Sequence, residues 1–241
     1  MNVIKKFAQK QRDIANFPSV TLAFLGDSVT QGCFETHRRA ADELRTRYDQ
    51  ENGYHHQLAR MLATLYPLVP VNIINAGICG DGAPHGLERL ERDVLRHTPD
   101  LTVVCYGLND SMKGMDGVDE YTAALDGIFQ KLQAAGSEVI FMTPNMMCTY
   151  VDYRITDDLL RNAAEKCTQI QNGGVLEAYL DAAKAVCSRY GVRVCDCYAK
   201  WKCLYQNGVD VTQMLSGNIN HPSEQMHRLF AVSLLETMMS E

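Results

Sequence analysis

The chain has 241 residues, a length that suits one large α/β domain. Its hydrophobic fraction of 46% and charged fraction of 22% are typical of a soluble globular protein with a substantial core. The formal net charge is only −6 and no lysine- or arginine-rich stripe is present, which argues against a nucleic-acid-binding surface or a surface for anionic membranes.

The amino-terminal segment MNVIKKFAQKQRDIANF contains charged residues and lacks the uninterrupted apolar region of a secretory signal. No later segment approaches the apolar length of a membrane span. The nine cysteines are odd in number and are spread along predicted strands and helices, so we expect no disulfide framework. These features together predict a protein of the reducing cytoplasm.

The first predicted strand runs from Val20 to Leu25 and is followed by the motif GDSVTQG. A strand that stops at Gly26 and turns sharply presents the next side chains at the carboxyl edge of a sheet, where open α/β folds bind their ligands. Ser28 is therefore a candidate nucleophile, although a serine here, taken alone, is more typical of a helix N-cap. A nucleophilic serine needs a base within hydrogen-bond reach and donors for the oxyanion.

Two connections are longer than simple turns. Residues 33–54 contain ETHRRAADELRTRYDQEN, whose high charge predicts a solvated helix inserted after the nucleophile turn. Residues 144–174 contain NMMCTYVDYRITDD and end at NGG, a break before a helix that reaches Tyr190. Long insertions at a ligand-binding rim commonly form lids or substrate walls, so we expect both to shape the acyl or alcohol pocket.

Two further predicted strands end in motifs that offer oxyanion donors. Val71 to Ile74 is followed by NAGICGDG, and Leu101 to Tyr106 leads into YGLND. The backbone N–H of Gly77 and the side-chain amide of Asn109 are the candidates, together with the backbone N–H of Ser28. A phosphate-binding loop is the alternative for the glycines, but their spacing fits neither GxGxxG followed by a helix nor a Walker loop.

Helical patterns separate the predicted strands. Leu87, Leu90, Val94 and Leu95 recur at helical spacing on a helix expected to carry His85 and His97. A second such pattern spans residues 121–132, and the fourth and fifth strands are predicted at 138–142 and 192–195. Strands that alternate with helices predict one α/β domain, residues 1–241, with a parallel sheet covered on both faces.

The last helical pattern is preceded by GNINHP, which places His221 just ahead of a helix. Histidine is the usual proton shuttle near neutral pH, so His221 is the candidate base. His227, on the helix that follows, is assigned a structural role. The adjacent His55 and His56 are not expected to share a metal, since neighbouring residues of a helix point in different directions.

Cysteines near the carboxyl end offer the other conceivable metal site. Cys195, Cys197 and Cys203 lie close together in sequence, but a fourth zinc ligand is not evident. We therefore expect no metal and no cofactor.

The four motifs, taken in order, resemble the SGNH or GDSL-type hydrolases, a family named for a serine, a glycine, an asparagine and a histidine in separate blocks. GDSVTQG, NAGICGDG, GLND and NINHP are similar to these blocks and span residues 26–222. The resemblance implies a three-layer α/β/α fold with a flavodoxin-like five-stranded parallel sheet, in which strand one lies between strands two and three.

The last block departs from the family pattern. The family has an aspartate three residues before the histidine, and this chain has Asn218 there. The aspartate holds the imidazole tautomer and stabilises the imidazolium. Three alternatives follow: the imidazole of His221 is oriented by the Asn218 amide or a main-chain carbonyl, a carboxylate comes from elsewhere in the fold, or activity is weakened or lost.

We predict an active carboxylic ester hydrolase, because the nucleophile, base and oxyanion donors are all present. The resemblance implies a short-chain, acetyl-like ester, on a small molecule or a sugar, as the substrate. An acyltransferase, thioesterase or lysophospholipase would use the same site, and a non-catalytic binding protein on this scaffold is the alternative that Asn218 keeps open. The sequence does not indicate an oligomeric state.

Overall fold

A computed structural model describes residues 1–40 and 43–240 as a central sheet covered by helices. The strands are β1 (Val20–Gly26), β2 (Cys33–Ala40), β3 (Glu43–Tyr48), β4 (Val71–Gly77), β5 (Leu101–Cys105), β6 (Glu138–Met142), β7 (Arg193–Cys195), β8 (Leu215–Ser216) and β9 (His221–Pro222). The helices are α1 (Asn2–Arg12), α2 (Ser28–Gln31), α3 (Tyr54–Leu65), α4 (Ala83–Glu88), α5 (Leu90–Asp93), α6 (Val118–Ala134), α7 (Asp158–Asn172), α8 (Val175–Tyr190), α9 (Cys197–Gln206) and α10 (Glu224–Met239).

The central sheet is parallel and has the order β4-β1-β5-β6-β7. This is the flavodoxin-like order, so the predicted fold class is confirmed. Gly26 at the end of β1 is paired with Gly77 of β4 on one side and Cys105 of β5 on the other. The ends of these three strands therefore meet at one edge of the sheet, where such folds bind ligands.

Both faces of the sheet are buried. Leu22 and Phe24 of β1 pack in a core shared with α1, α3, α9 and α10, whereas Ala23 and Leu25 pack in a second core shared with α5, α6 and α8. Strands buried on both faces read as continuous apolar runs, which is why β1, β5 and β6 were recognisable from sequence. The result is a three-layer α/β/α sandwich.

The prediction of a helix after the nucleophile turn is wrong. Within residues 33–54, β2 and β3 form an antiparallel hairpin, and Thr36 faces Thr46 across it. Residues 41–42, also inside the predicted helix, lie outside the described residues. Charged residues that are good helix formers carry only a weak local preference, and tertiary contacts override it. Here Phe34 is anchored in the protein, its ring centroid 4.9 Å from that of His227.

The predicted helix around residues 87–95 is broken into α4, α5 and a short 3-10 helix at Leu95–His97. His85 and His97 therefore lie on separate pieces. The break falls at Arg89, whose backbone has φ −93° and ψ 0° and whose side chain is buried. The helix predicted to reach Tyr190 is α8, which ends there, and Gly191 after it is in the left-handed conformation. Among the described residues, no helix is both long and apolar enough to cross a bilayer.

Candidate active site

The nucleophile turn is built by close packing at the end of β1. Ser28 is the first residue of α2, and Asp27 caps this helix by accepting the N–H of Val29 at 2.9 Å. Gly26 is required because a Cβ at this position would lie 2.1 Å from Thr30 Oγ1 and 2.7 Å from the Cys105 carbonyl oxygen. The tight turn leaves the Ser28 side chain at the edge of the sheet.

The structure brings Ser28 and His221 together. The distance between Ser28 Oγ and His221 Nε2 is 2.9 Å, although the two residues are 193 positions apart in sequence. Both side chains are largely enclosed, since the residues are 4% and 5% exposed. His221 lies in β9, directly before α10.

A main-chain carbonyl orients the imidazole. His221 Nδ1 lies 2.7 Å from the carbonyl oxygen of Phe34, in the hairpin. A carbonyl oxygen can only accept, so Nδ1 carries the hydrogen and Nε2 has a free lone pair for the Ser28 hydroxyl. This is the tautomer that a general base needs.

Asn218 does not occupy the orienting position that its place in the sequence predicts. Its backbone is left-handed, with φ 58°, and its Nδ2 donates to the carbonyl oxygen of Thr212 at 3.1 Å. The contact that an aspartate side chain would make is supplied instead by Phe34. Sequence reasoning allowed for a main-chain carbonyl but could not identify its residue, because every residue carries one.

Burial lowers the pKa of His221, and the hydrogen bond to the Phe34 carbonyl opposes this shift. The imidazole is therefore neutral at pH 7. A neutral imidazole is the form that accepts a proton.

The two other predicted donors are Gly77, the last residue of β4, and Asn109, on the loop that follows β5. Asn109 Nδ2 donates to the carbonyl oxygen of Asp81 at 2.8 Å, which uses one of its two hydrogens. The N–H of Gly77 donates to Asn75 Oδ1 at 3.0 Å. Glycine is required at 77, since a Cβ there would lie 2.2 Å from the backbone nitrogen of Gln31. This close approach brings the start of the β4 loop (residues 78–82) against α2.

A buried ionic network lies behind these donors, and sequence reasoning missed it. Arg89 donates to Asp81 Oδ2 through Nε at 2.8 Å and Nη2 at 2.6 Å, and it also donates to the carbonyl of Gly26 at 3.1 Å. The hydroxyl of Tyr106 donates to the same Asp81 oxygen at 3.0 Å. The network joins the ends of β1 and β5 to the β4 loop. The only sequence signal was the DG pair in NAGICGDG, which is not specific.

Two more buried carboxyl groups brace the site. Asp110 accepts the N–H of Gly107 at 3.0 Å and that of Ala83 at 2.9 Å, which fixes the loop that carries Asn109. Burial raises its pKa to about 6. Burial, opposed by the Val29 hydrogen bond, raises the pKa of Asp27 to about 8. Asp27 Oδ2 has no hydrogen-bond partner among the described residues.

The hairpin that carries Phe34 is held by contacts on its sides. The Arg47 guanidinium lies 5.1 Å from the Phe34 ring centroid and donates to Glu224 of α10 at 3.0 Å. Arg38 pairs with Asp157 at the start of α7. The position of the Phe34 carbonyl thus depends on contacts with two helices.

The second long connection lies against the segment that carries His221. Asn145 donates to the carbonyl oxygen of Asn220 at 2.8 Å, and the N–H of Cys148 donates to that of Ile219 at 2.8 Å. Asn145 and Cys148, in the connection predicted at residues 144–174, therefore hold the segment that carries His221, and the role of this connection as a pocket wall stays a prediction.

Two of the other histidines, His55 and His227, have structural environments. His55 is buried, with Nε2 3.0 Å from the Thr30 carbonyl oxygen and 2.9 Å from Asn75 Nδ2. His227 accepts the N–H of Tyr54 at the start of α3. In residues 1–40 and 43–240, no three His, Cys, Asp or Glu side chains are grouped so that they could hold a metal ion.

Comparison with known proteins identifies relatives in sequence. An acetylxylan esterase from Geobacillus stearothermophilus is 29% identical over 133 residues, which are 51% of this chain and 58% of that protein. An arylesterase from Vibrio mimicus is 33% identical over 72 residues, 30% of this chain and 36% of that protein. The matches thus cover less than two thirds of either relative.

Solved structures share the fold over nearly the whole chain. The crystal structure of an acetylxylan esterase from Geobacillus stearothermophilus has a TM-score of 0.67 at 21% identity and covers 92% of this chain and 95% of that one. A second acetyl xylan esterase has a TM-score of 0.66 at 20% identity, with coverages of 91% and 100%. The sequence profile of the GDSL-like lipase/acylhydrolase family matches residues 24–229. The chain therefore belongs to the GDSL-like lipase/acylhydrolase family.

Proposed function

We propose that this protein is a serine carboxylic ester hydrolase that removes short, acetyl-like acyl groups from a carbohydrate. The single observation that carries the serine mechanism is the 2.9 Å contact between Ser28 Oγ and His221 Nε2. The 2.7 Å contact between His221 Nδ1 and the Phe34 carbonyl supports it, because it selects the tautomer of a base.

In the proposed reaction, Ser28 Oγ attacks the ester carbonyl carbon while His221 Nε2 takes the hydroxyl proton. The imidazolium that forms is stabilised by the Phe34 carbonyl dipole instead of a carboxylate. His221 then gives the proton to the leaving alcohol, and an acyl-enzyme remains on Ser28. Water, activated by the same imidazole, releases the acid and restores the serine.

The oxyanion of the tetrahedral intermediate accepts hydrogen bonds from the backbone N–H of Ser28 and from the second Nδ2 hydrogen of Asn109. Gly77 contributes a third donor when its N–H exchanges Asn75 for the substrate oxygen. Each such donor is worth about 3 kcal/mol in comparable sites. The buried network of Asp81 and Arg89 supports this assignment, since it fixes the loop that bonds Asn109.

The substrate class rests on similarity. The acetylxylan esterase relative is matched over 51% of this chain, and two of the structural neighbours that share the fold are acetylxylan esterases. An acyltransferase, a thioesterase or a lysophospholipase would act through the same Ser28 and His221. Substrate comparison separates these possibilities.

The test has two arms. A fluorophosphonate probe is expected to label the wild-type protein and not Ser28→Ala, while Ser188→Ala, which removes an exposed serine hydroxyl on α8, should label normally. Hydrolysis is then compared for p-nitrophenyl acetate, longer p-nitrophenyl esters, acyl-CoA and acetylated xylo-oligosaccharides. Equal labelling of Ser28→Ala would contradict the serine mechanism, and preference for long chains or acyl-CoA would contradict the substrate class.

A further inference from the structure

Two cysteines lie at the junction of the hairpin and the β4 loop. Cys33 begins β2, directly after the nucleophile helix, and is the residue before Phe34. Cys79 lies two residues after Gly77. Cys33 is buried, whereas Cys79 is exposed.

One side chain contacts both cysteines. Gln31, the last residue of α2, places Oε1 2.6 Å from the backbone nitrogen of Cys79 and 3.8 Å from Cys33 Sγ. The two cysteines therefore lie on either side of the same Gln31 oxygen, where the hairpin meets the β4 loop at the rim of the candidate active site.

The surroundings give the two thiols different reactivities. The hydrogen bond from Cys33, with further bonds from Tyr48 and Thr46, lowers the pKa of Cys79 to about 6. The pKa of Cys33 is raised, first by the hydrogen bond with Cys79 and then by burial. An exposed thiol with a lowered pKa is the nucleophile in thiol exchange, and a protonated neighbour is suited to react second.

We propose that Cys79 and Cys33 form a reversible disulfide by exchange with a small-molecule disulfide of the glutathione class. The Cys79 thiolate attacks one sulfur of that molecule, breaks its S–S bond and releases one thiolate. Cys33 then attacks Cys79 Sγ, and the second small thiolate leaves with the Cys33 proton. The protein loses two hydrogens, and the oxidant becomes two thiols.

This bond would join the β4 loop to the hairpin. A disulfide requires a sulfur separation of about 2 Å, so the two segments must move closer together for the bond to form. Phe34, next to Cys33, holds His221, and Gly77 lies beside Cys79. We therefore expect the disulfide to displace the orienting carbonyl or the donor loop and to lower turnover. The effect on turnover rests on the proposed function; formation of the bond does not.

The experiment exposes the full-length protein to oxidised glutathione at neutral pH, blocks free thiols with N-ethylmaleimide, and maps the peptides by mass spectrometry. The expected product is a Cys33–Cys79 linked peptide lighter by two hydrogen atoms. Hydrolysis of p-nitrophenyl acetate should fall by about tenfold to a hundredfold, the cost of a misplaced catalytic group, and dithiothreitol should restore it.

The controls use single substitutions. Cys79→Ser should abolish both the linked peptide and the inhibition. Cys203→Ser, which removes the other exposed cysteine, on α9, should leave both intact. Because Cys79 is exposed, its variant tests the proposal even if a change at the buried Cys33 prevents folding.

Several outcomes would overturn the proposal. If glutathione stays attached to Cys79 and no link to Cys33 forms, the proposed disulfide is excluded. If Cys203 is modified as fast as Cys79, the special reactivity of the Cys33–Cys79 pair is excluded. A linked peptide with unchanged turnover excludes the coupling to the active site. If the reduced protein hydrolyses no ester at all, the proposed function fails, and peptide mapping still decides whether the disulfide forms.

Discussion

The two walls of the candidate site are held in different ways. The donor wall, which comprises the loops after β4 and β5, rests on the Arg89–Asp81 pair, whose side chains are 2% and 1% exposed. The base wall, which comprises the hairpin and His221, is tied to α10 by Arg47 and Glu224, whose side chains are 42% and 38% exposed. Buried pairs are costly to break, whereas exposed pairs contribute little and are screened by salt. The ion pair that supports the donor wall is thus buried, whereas the ion pair that ties the hairpin to α10 lies at the surface.

Breaking the ion pair of the donor wall should lower the free energy of unfolding more than breaking the ion pair of the base wall. Arg89→Met leaves Asp81 buried without its main cationic partner, so we expect the free energy of unfolding to fall by about 3–5 kcal/mol. Denaturant unfolding measures the change. Arg92→Met is the matched control, because its side chain is 65% exposed and its loss should cost almost nothing. Equal effects of the two substitutions would show that the buried Arg89–Asp81 network does not stabilise the donor wall.

The second prediction concerns Asp27, between the two walls. Its pKa is 3.8 in an unfolded chain and about 8 in the fold, so the folded state binds an extra proton between these values and stability falls as the pH rises through this window. Asp27→Asn keeps a capping oxygen and removes the titration. The stability gain of the variant over wild type should therefore widen from about pH 5 to about pH 8.

Asp126→Asn is the control for this pH dependence. Hydrogen bonds from Arg189 and Tyr190 lower the pKa of Asp126, so its contribution to stability is present above 3.8 and is lost on acidification. The two variants should thus differ in the sign of their pH dependence. A constant offset for Asp27→Asn would mean that its carboxyl is ionised in the fold.

Turnover should depend little on the side chain at position 218, although this position lies in the base wall. Asn218→Gly removes the side chain and tolerates the left-handed backbone, and it should reduce kcat/KM by less than about tenfold, whereas His221→Ala should cost about a thousandfold. Asn218→Asp should change turnover little, because Phe34 already accepts the Nδ1 hydrogen. A manyfold gain in Asn218→Asp would indicate that a charge at 218 reaches the imidazole.

The smallest effect is expected at the tether of the hairpin. A double-mutant cycle of Arg47→Met and Glu224→Gln should give a coupling of about 0.5 kcal/mol or less, and this coupling should vanish in high salt. Methionine keeps an apolar stem against the Phe34 ring, so the cycle isolates the ion pair. A coupling as large as the Arg89 effect would remove the difference between the two walls.

Strong local patterns made most of the fold predictable. The strands at Val20–Gly26, Leu101–Cys105 and Glu138–Met142 are apolar on both faces, and left-handed Gly191 ends a helix where expected. The hairpin was missed because its sequence suits a helix when considered alone. Contacts with residues far away in sequence, such as that of Phe34 with His227, anchor the hairpin as it is found.

The candidate site was predictable where the proposed role belongs to a side chain. Ser28 and His221 lie in recognisable motifs, and the structure places them in contact. Arg89 was not recognised because arginine is usually a surface residue, and nothing local reveals that Asp81 is its buried partner. Phe34 acts through a main-chain atom, which has no sequence signature.

The use of the Phe34 main-chain carbonyl determines which changes in sequence would remove the acceptor that faces His221. Any amino acid at position 34 would keep the oxygen that faces His221, so replacing one residue at a time cannot delete this acceptor. Only a shift in the path of the chain, such as a lengthened or shortened loop ahead of β2, would take it away. While the carbonyl stays in place, the Nδ1 hydrogen of His221 already has its acceptor, and the choice of residue at 218 is limited instead by its left-handed backbone.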